Sequence, residues 1–132
     1  MACFLVSAAE AAVVAALEKA EEKKEQKAEE SGVEIEKSEA VPFSRKLKWL
    51  TYMLCGGAVL LMFEHIWHGE VVPWPPFLTA MADAADAAEM WHEMATVGVT
   101  MAILITVVWV GMCLAADAIM KRQAKPAEQK IN

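Results

Sequence analysis

Two short clusters combine histidines with carboxylates, residue types that bind metal ions and transfer protons. The first cluster is FEHIWHGE, residues 63–70, and the second is EMWHEM, residues 89–94. A mixture of imidazole and carboxylate ligands suits iron, manganese or zinc. A metal site would form if the fold brought both clusters to the same place. The candidate ligands of such a site are Glu64, His65, His68, Glu89, His92 and Glu93.

The spacing within the clusters gives partial support for metal chemistry. Glu89 and His92 have the i, i+3 spacing of helical bundles that hold two metal ions. Such bundles use two motifs of this kind, and this chain has one, because the first cluster runs E-H-x-x-H. Methionines beside His92 would suit copper(I) instead. A haem between histidines of the two clusters ranks below a metal ion. The cofactor is therefore unknown, with a transition metal as the first candidate.

A plainer interpretation is that the clusters are polar ends of membrane helices. Glutamate and histidine at a helix end reach water, where their polarity costs little. Hydrogen bonds between the two helix ends would then fix a hairpin without holding any ligand. We favour this interpretation over a bound metal.

The elements that position these clusters follow from the distribution of charge. Of the 132 residues, 57% are hydrophobic and 23% are charged, yet all 12 lysines and arginines lie in residues 19–48 or 121–130. No lysine or arginine occurs between Trp49 and Met120. This segregation is typical of a membrane protein. The net charge of −6 gives no reason to expect a nucleic-acid partner.

Two apolar stretches fill the gap between the basic segments. Residues 49–63 are uncharged, but these 15 residues reach only ~22 Å of the ~30 Å hydrocarbon core. A spanning helix must therefore continue through the first His/Glu cluster, and we predict it over 47–68. Residues 95–116 are uncharged and long enough alone. They belong to a long helix predicted over 79–120, since no Gly or Pro occurs between Thr79 and Val97.

The N-terminal segment is harder to place. Residues 1–17 form an apolar helix, interrupted only by Ser7 and Glu10. It is either a third, short span or a helix packed beside the hairpin near the inner face. The alanines favour insertion weakly and Glu10 opposes it. Of the two placements we lean towards a span. The charged connector, 18–46, has no Pro or Gly before Ser31-Gly32, so the helix should run into it and end there.

The remaining segments are a loop and a tail. Residues 69–78 carry the Pro/Trp sequence VVPWPPF, which cannot continue a helix and can extend far enough to connect the two spans. Residues 121–132 form a polar tail that we expect to fray. Basic flanks mark the cytoplasmic side, so both ends should be cytoplasmic and residues 69–94 outside, in a multi-pass protein of the cell membrane.

The sequence thus predicts an all-α integral membrane protein, an antiparallel transmembrane hairpin with an additional N-terminal apolar helix. No GxSxG, P-loop, HExxH or dinucleotide motif is present, which argues against an enzyme. The first function considered is an accessory or self-assembling membrane subunit that acts through helix packing. The alternatives are a metal- or haem-binding protein and an oligomeric cation or proton pathway. The expected partners are the lipid bilayer and either further copies or a larger membrane complex.

Overall fold

A computed structural model describes residues 2–32 and 41–128, with side chains described as far as residue 123. The described residues form four α-helices and no strand, as the all-α prediction requires. A 3₁₀ turn precedes α3, and a π-helical segment joins α3 to α4. The elements in chain order are α1 Phe4–Glu30, α2 Phe43–Trp67, the 3₁₀ turn Thr79–Ala82, α3 Ala84–Glu93, the π segment Met94–Gly98 and α4 Val99–Glu128.

Two of the described helical stretches are long and apolar enough to cross a membrane. They are Phe43–Trp67, of 25 residues, and Ala84–Gln123, of 40 residues. Only 22% of the first apolar window and 17% of the second is buried inside the chain. Each helix therefore turns most of its apolar surface outward, away from the rest of the protein.

α1 packs along the whole of α2, antiparallel to it. Glu25 lies against Ser44 near one end of the pair. At the other end the ring of Phe4 meets the ring of His65. Residues 4–17 therefore lie beside the part of α2 predicted to span the membrane.

The α1–α2 interface has the heptad spacing of a coiled coil. From Ser7 to Ala28 on α1, buried and half-buried positions recur at alternating intervals of four and three residues, which keeps a narrow seam facing the partner helix. α4 completes the bundle by packing Ile105 and Trp109 against this seam. A Cβ atom on Gly57 would lie 3.1 Å from Ile105 Cδ1, so this glycine permits the close approach of α4. The core residues are Ala11, Val14, Leu47, Leu50 and Leu54.

Glycines with positive φ end the first two helices. α1 stops at Glu30, and Gly32 has a φ of 63°, as the Ser31-Gly32 signal predicts. At the end of α2, Gly69 has a φ of 75° and its N–H donates to the Ile66 carbonyl over 3.0 Å. The Glu70 N–H donates to the His65 carbonyl over 2.9 Å. These two bonds make a Schellman turn, which carries Glu70 back over the last turn of α2.

The long second helix differs from its prediction at both ends. It begins at Ala84 rather than Thr79, because Asp83 is extended and its side chain caps the helix by accepting the Ala85 N–H over 2.7 Å. The π segment then interrupts the regular α-helix before the apolar run. At the other end α4 continues to Glu128, past the predicted end at Met120.

The Pro/Trp loop, residues 69–78, is also more closed than predicted. The Val72 N–H donates to the Phe77 carbonyl over 2.9 Å, and the Thr79 N–H donates to the Glu70 carbonyl over 3.0 Å. The loop therefore folds back on itself instead of extending to connect the two helices. Residues 33–40 of the connector and residues 129–132 of the tail lie outside the described residues.

Candidate functional site

The first residues of the described chain occupy the space between the two predicted His/Glu clusters. The rings of Phe4 and His65 meet edge to face, with centroids 5.7 Å apart. Cys3 Sγ lies 4.0 Å from the Glu93 carbonyl on the other side. Ala2 is fully buried with Ala80 of the 3₁₀ turn. The start of α1 thus separates the C-terminal end of α2 from α3.

This separation prevents the six predicted ligands from forming one site. Within the described residues, no Cα atom of α2 lies within 8 Å of a Cα atom of α3. In residues 2–32 and 41–128, no group of three or more His, Cys, Asp or Glu side chains is placed to hold a metal ion. The predicted metal site is not supported, because α1 lies where the two clusters were expected to meet. His65 is buried and Glu93 half-buried, and the exposed members are Glu64, His68, Glu89 and His92.

His65 is the buried member of the first cluster, and its neighbour is a carboxylate outside the predicted set. Glu70 Oε2 lies 3.7 Å from His65 Nδ1, within ion-pair range if the imidazole is protonated. The Schellman turn explains this contact, since it returns Glu70 to the helix end. His65 Nε2 is buried and has no hydrogen-bond partner among the described residues. The edge-to-face contact with Phe4 therefore forms part of the surroundings of this buried histidine.

A polar contact joins α1 to α4 in the middle of the bundle. Thr106 Oγ1 lies 2.7 Å from Glu10 Oε1 and 3.0 Å from the Ala102 carbonyl oxygen. A groove of about 400 Å³ runs between the two helices at this point. Its walls are aliphatic apart from this glutamate and threonine. The lining residues are Val6, Glu10, Val99, Ala102, Ile103, Thr106 and Val107.

Two more α1 carboxylates meet hydroxyl groups of α2. Glu18 Oε2 lies 3.2 Å from Thr51 Oγ1, and Glu25 Oε2 accepts from Ser44 Oγ over 2.8 Å. Glu18 and Glu25 are seven residues apart, the repeat of a helix seam, whereas Glu10 contacts α4. That spacing is visible in the sequence, but the abundance of other charges around Glu18 and Glu25 indicated a solvated connector instead.

The end of the bundle opposite the His/Glu clusters contains an ion pair between α2 and α4. Lys46 Nζ lies 2.7 Å from Asp117 Oδ2, and the two side chains are 13% and 27% exposed. Trp109 Nε1 donates to the Lys46 carbonyl over 2.7 Å, one more link between the same helices. Asp117 lies on the side of α4 that faces α2, so its ion pair joins two helices instead of linking it to Lys121, four residues later in its own helix.

Two threonines near the start of the apolar run, Thr96 and Thr100, bond to the helical segment in which they lie. The Thr96 hydroxyl donates to the His92 carbonyl over 2.8 Å, and the Thr100 hydroxyl donates to the Thr96 carbonyl over 2.7 Å. Both side chains are exposed. The hydroxyl of Thr106, by contrast, also contacts Glu10 of another helix.

Comparison with protein-family models, with curated proteins and with solved structures finds no match. The chemistry of the chain must therefore be argued from its own geometry. That geometry is a set of hydrogen bonds and one ion pair at three levels of a helical bundle, each joining two different helices. Arrangements of this kind specify how helices pack in an apolar environment.

Proposed function

We propose that the chain is a small integral membrane protein that acts through helix packing, as an accessory or self-assembling subunit. The observation that carries this proposal is the uncovered apolar surface of the two long helices. The core helix of a soluble protein would be mostly buried, whereas these windows are 22% and 17% buried. Continuous apolar surface of this extent requires lipid or another protein against it. Exposed residues on it include Leu60, Phe63, Ile103, Leu104, Val107 and Leu114.

In this proposal α1 enters the bilayer together with the two longer helices. Its apolar part, residues 4–17, lies beside the membrane-spanning part of α2, and Glu10 meets Thr106 of α4. The basic residues that flank the bundle are then cytoplasmic, and the acidic residues of α3 lie outside. The ion pair of Lys46 with Asp117 falls at the cytoplasmic end.

The polar contacts support packing as the mode of action. Glu10, Glu18 and Asp117 each contact a side chain of a neighbouring helix. These contacts hold the bundle in one arrangement and leave an apolar outer face. That face is what a small membrane subunit has available for a partner, whether lipid, a second copy or a different protein.

Extraction at alkaline pH tests the membrane location. Sodium carbonate strips peripheral proteins from membranes, whereas a chain with embedded helices stays in the membrane pellet. We expect the protein to remain in the pellet until detergent is added. Release into the carbonate supernatant would contradict the proposal.

Photo-crosslinking tests whether the outer face contacts protein. A diazirine amino acid at Leu60, which is 73% exposed, should yield adducts of defined mass in native membranes. The matched control is the same substitution at Leu54, which is fully buried and should react only within the chain. Adducts with lipid alone at Leu60, and also at Leu114 on α4, would contradict a function in packing while leaving the membrane location intact.

A further inference from the structure

Glu10 lies at the middle of the apolar part of the bundle. Its contact, Thr106, is near the centre of the uncharged run 95–116. Either end of that run is about 15 Å away along the helix axis. If the chain is embedded as proposed above, on which this inference rests, the Glu10 carboxyl is close to the bilayer centre.

Counting hydrogens at the Thr106 hydroxyl indicates the protonation state of Glu10. The hydroxyl oxygen is within hydrogen-bond distance of two oxygens, Glu10 Oε1 at 2.7 Å and the Ala102 carbonyl at 3.0 Å. A hydroxyl has one hydrogen to donate, and a carbonyl oxygen and an ionised carboxylate can only accept. Both contacts are ordinary two-centre hydrogen bonds when Thr106 donates to Ala102 and a protonated Glu10 donates to Thr106, whereas beside an ionised Glu10 the single hydroxyl hydrogen would have to be shared between two acceptors.

The surroundings favour the same neutral form. An ionised carboxylate in hydrocarbon is costly, and such a group normally takes up a proton unless a cation compensates it. No charged residue occurs in 49–63 of α2 or in 95–116 of α4, the two helices packed against α1. Titratable neighbours of these stretches are Tyr52, Cys55 and Cys113, none of them a cation. Lys46 of α2 is paired with Asp117, which lies about three helical turns from Thr106 along α4.

We propose that Glu10 is a proton-binding site at the middle of the membrane, accessible from the lipid through the groove between α1 and α4. The groove has a volume of about 400 Å³ and aliphatic walls, so it suits an apolar reagent of small size. Of the residues that line the groove, Val99, Ile103 and Val107 are exposed on the surface of the bundle. A lipid-soluble carbodiimide is a suitable reagent for this site, because it enters apolar grooves and reacts with the protonated form of a carboxyl.

The modification is an addition without a leaving group. The acid proton moves to one carbodiimide nitrogen, and the carboxylate oxygen bonds to the central carbon to give an O-acylisourea. The acyl group then shifts to the neighbouring nitrogen and leaves a stable N-acylurea. The chain gains the mass of one carbodiimide, and no oxidant or further reactant is needed.

The test is to treat membranes that contain the full chain with dicyclohexylcarbodiimide at neutral pH and to map the adduct by mass spectrometry. We expect one adduct per chain, on the peptide that contains Glu10, and none in Glu10→Gln. Glu25 is the matched control, since it also accepts from a hydroxyl but lies at the polar end of α1. It should react only with a water-soluble carbodiimide in the presence of an amine.

Infrared spectroscopy gives a second measurement that needs no reagent. The difference spectrum between the wild type and Glu10→Gln should contain the carbonyl band of a carboxylic acid. A carboxylate band in its place, or an unlabelled Glu10 in a chain that resists carbonate extraction, would overturn the inference and leave the proposed function standing. Release of the chain by carbonate would instead contradict the proposed function, and the inference with it.

Discussion

Replacing Lys46 by methionine should destabilise the bundle through the charge it leaves behind. Methionine keeps an apolar chain of similar length, so the main change is the loss of the ammonium group 2.7 Å from Asp117 Oδ2. Asp117 Oδ1 is already buried without a hydrogen-bond partner among the described residues. The variant would therefore leave a largely desolvated carboxylate with no cation beside it.

The magnitude follows from the burial of the pair. Breaking a fully buried ion pair from one side costs about 3–5 kcal/mol, and an exposed pair contributes about 0–1 kcal/mol. Since the two side chains are 13% and 27% exposed, an intermediate loss of about 2 kcal/mol is expected. This corresponds to roughly a thirtyfold fall in the ratio of folded to unfolded protein.

Equilibrium unfolding in mixed micelles of SDS and a mild detergent, followed by tryptophan fluorescence, measures this loss. Lys48→Met is the matched control, because Lys48 is exposed and two residues away, and its replacement should change stability by less than about 0.5 kcal/mol. The double variant Lys46→Met/Asp117→Asn should lose clearly less than the two single variants added together. Equal effects of Lys46→Met and Lys48→Met, or additive effects in the double variant, would refute the reasoning.

Two further predictions concern the packing of the π segment and the start of α3. Gly98→Ala should destabilise the protein by about 1–3 kcal/mol in the same unfolding assay, because the new Cβ would lie 2.9 Å from Val6 Cγ2. Gly111→Ala, where nothing lies within 4 Å, should be neutral or stabilising, and equal losses in both variants would contradict the packing at Gly98. Asp83→Ala removes the cap of α3 and should cost about 0.5–2 kcal/mol. It should also speed hydrogen exchange at Ala85, and unchanged exchange there would count against the cap.

The sequence predicts those features of the fold that depend on local composition. The two apolar runs, the absence of basic residues between them and the Ser31-Gly32 helix end are all properties of single segments. The structure confirms the helices and the end of α1. Whether the long helices enter a membrane stays a prediction until it is measured.

The position of α1 could not be predicted from its own residues. Its apolar part is short and contains Glu10, so composition leaves both a span and a surface helix open. One contact that fixes its position in the bundle is with Thr106, which is 96 residues away in sequence. Since composition does not determine the position of α1, the separation of the two His/Glu clusters by Phe4 and Cys3 could not be predicted either.

Residue spacing predicted the faces of the helices better than their contacts. Glu89 and His92 do share a helix, but a face alone does not determine which neighbour covers it. Asp117 shows the same limit, since a lysine four residues later made a pair within the helix plausible, while the actual partner is Lys46 on α2. Glu70 was missed because only the turn after α2 brings it near His65.

The depth of α1 in the bilayer is the most direct test of the proposed three-helix membrane bundle. Spin labels at Val13 on α1 and Val107 on α4, both exposed, can be introduced in a Cys55→Ala background, since Cys3 and Cys113 are buried. The ratio of collision rates with oxygen and with a water-soluble nickel chelate reports how deep each label lies. We predict that both labels collide with oxygen and are shielded from nickel. A label at Val13 that is as open to nickel as one at the exposed Lys24 would contradict the bundle.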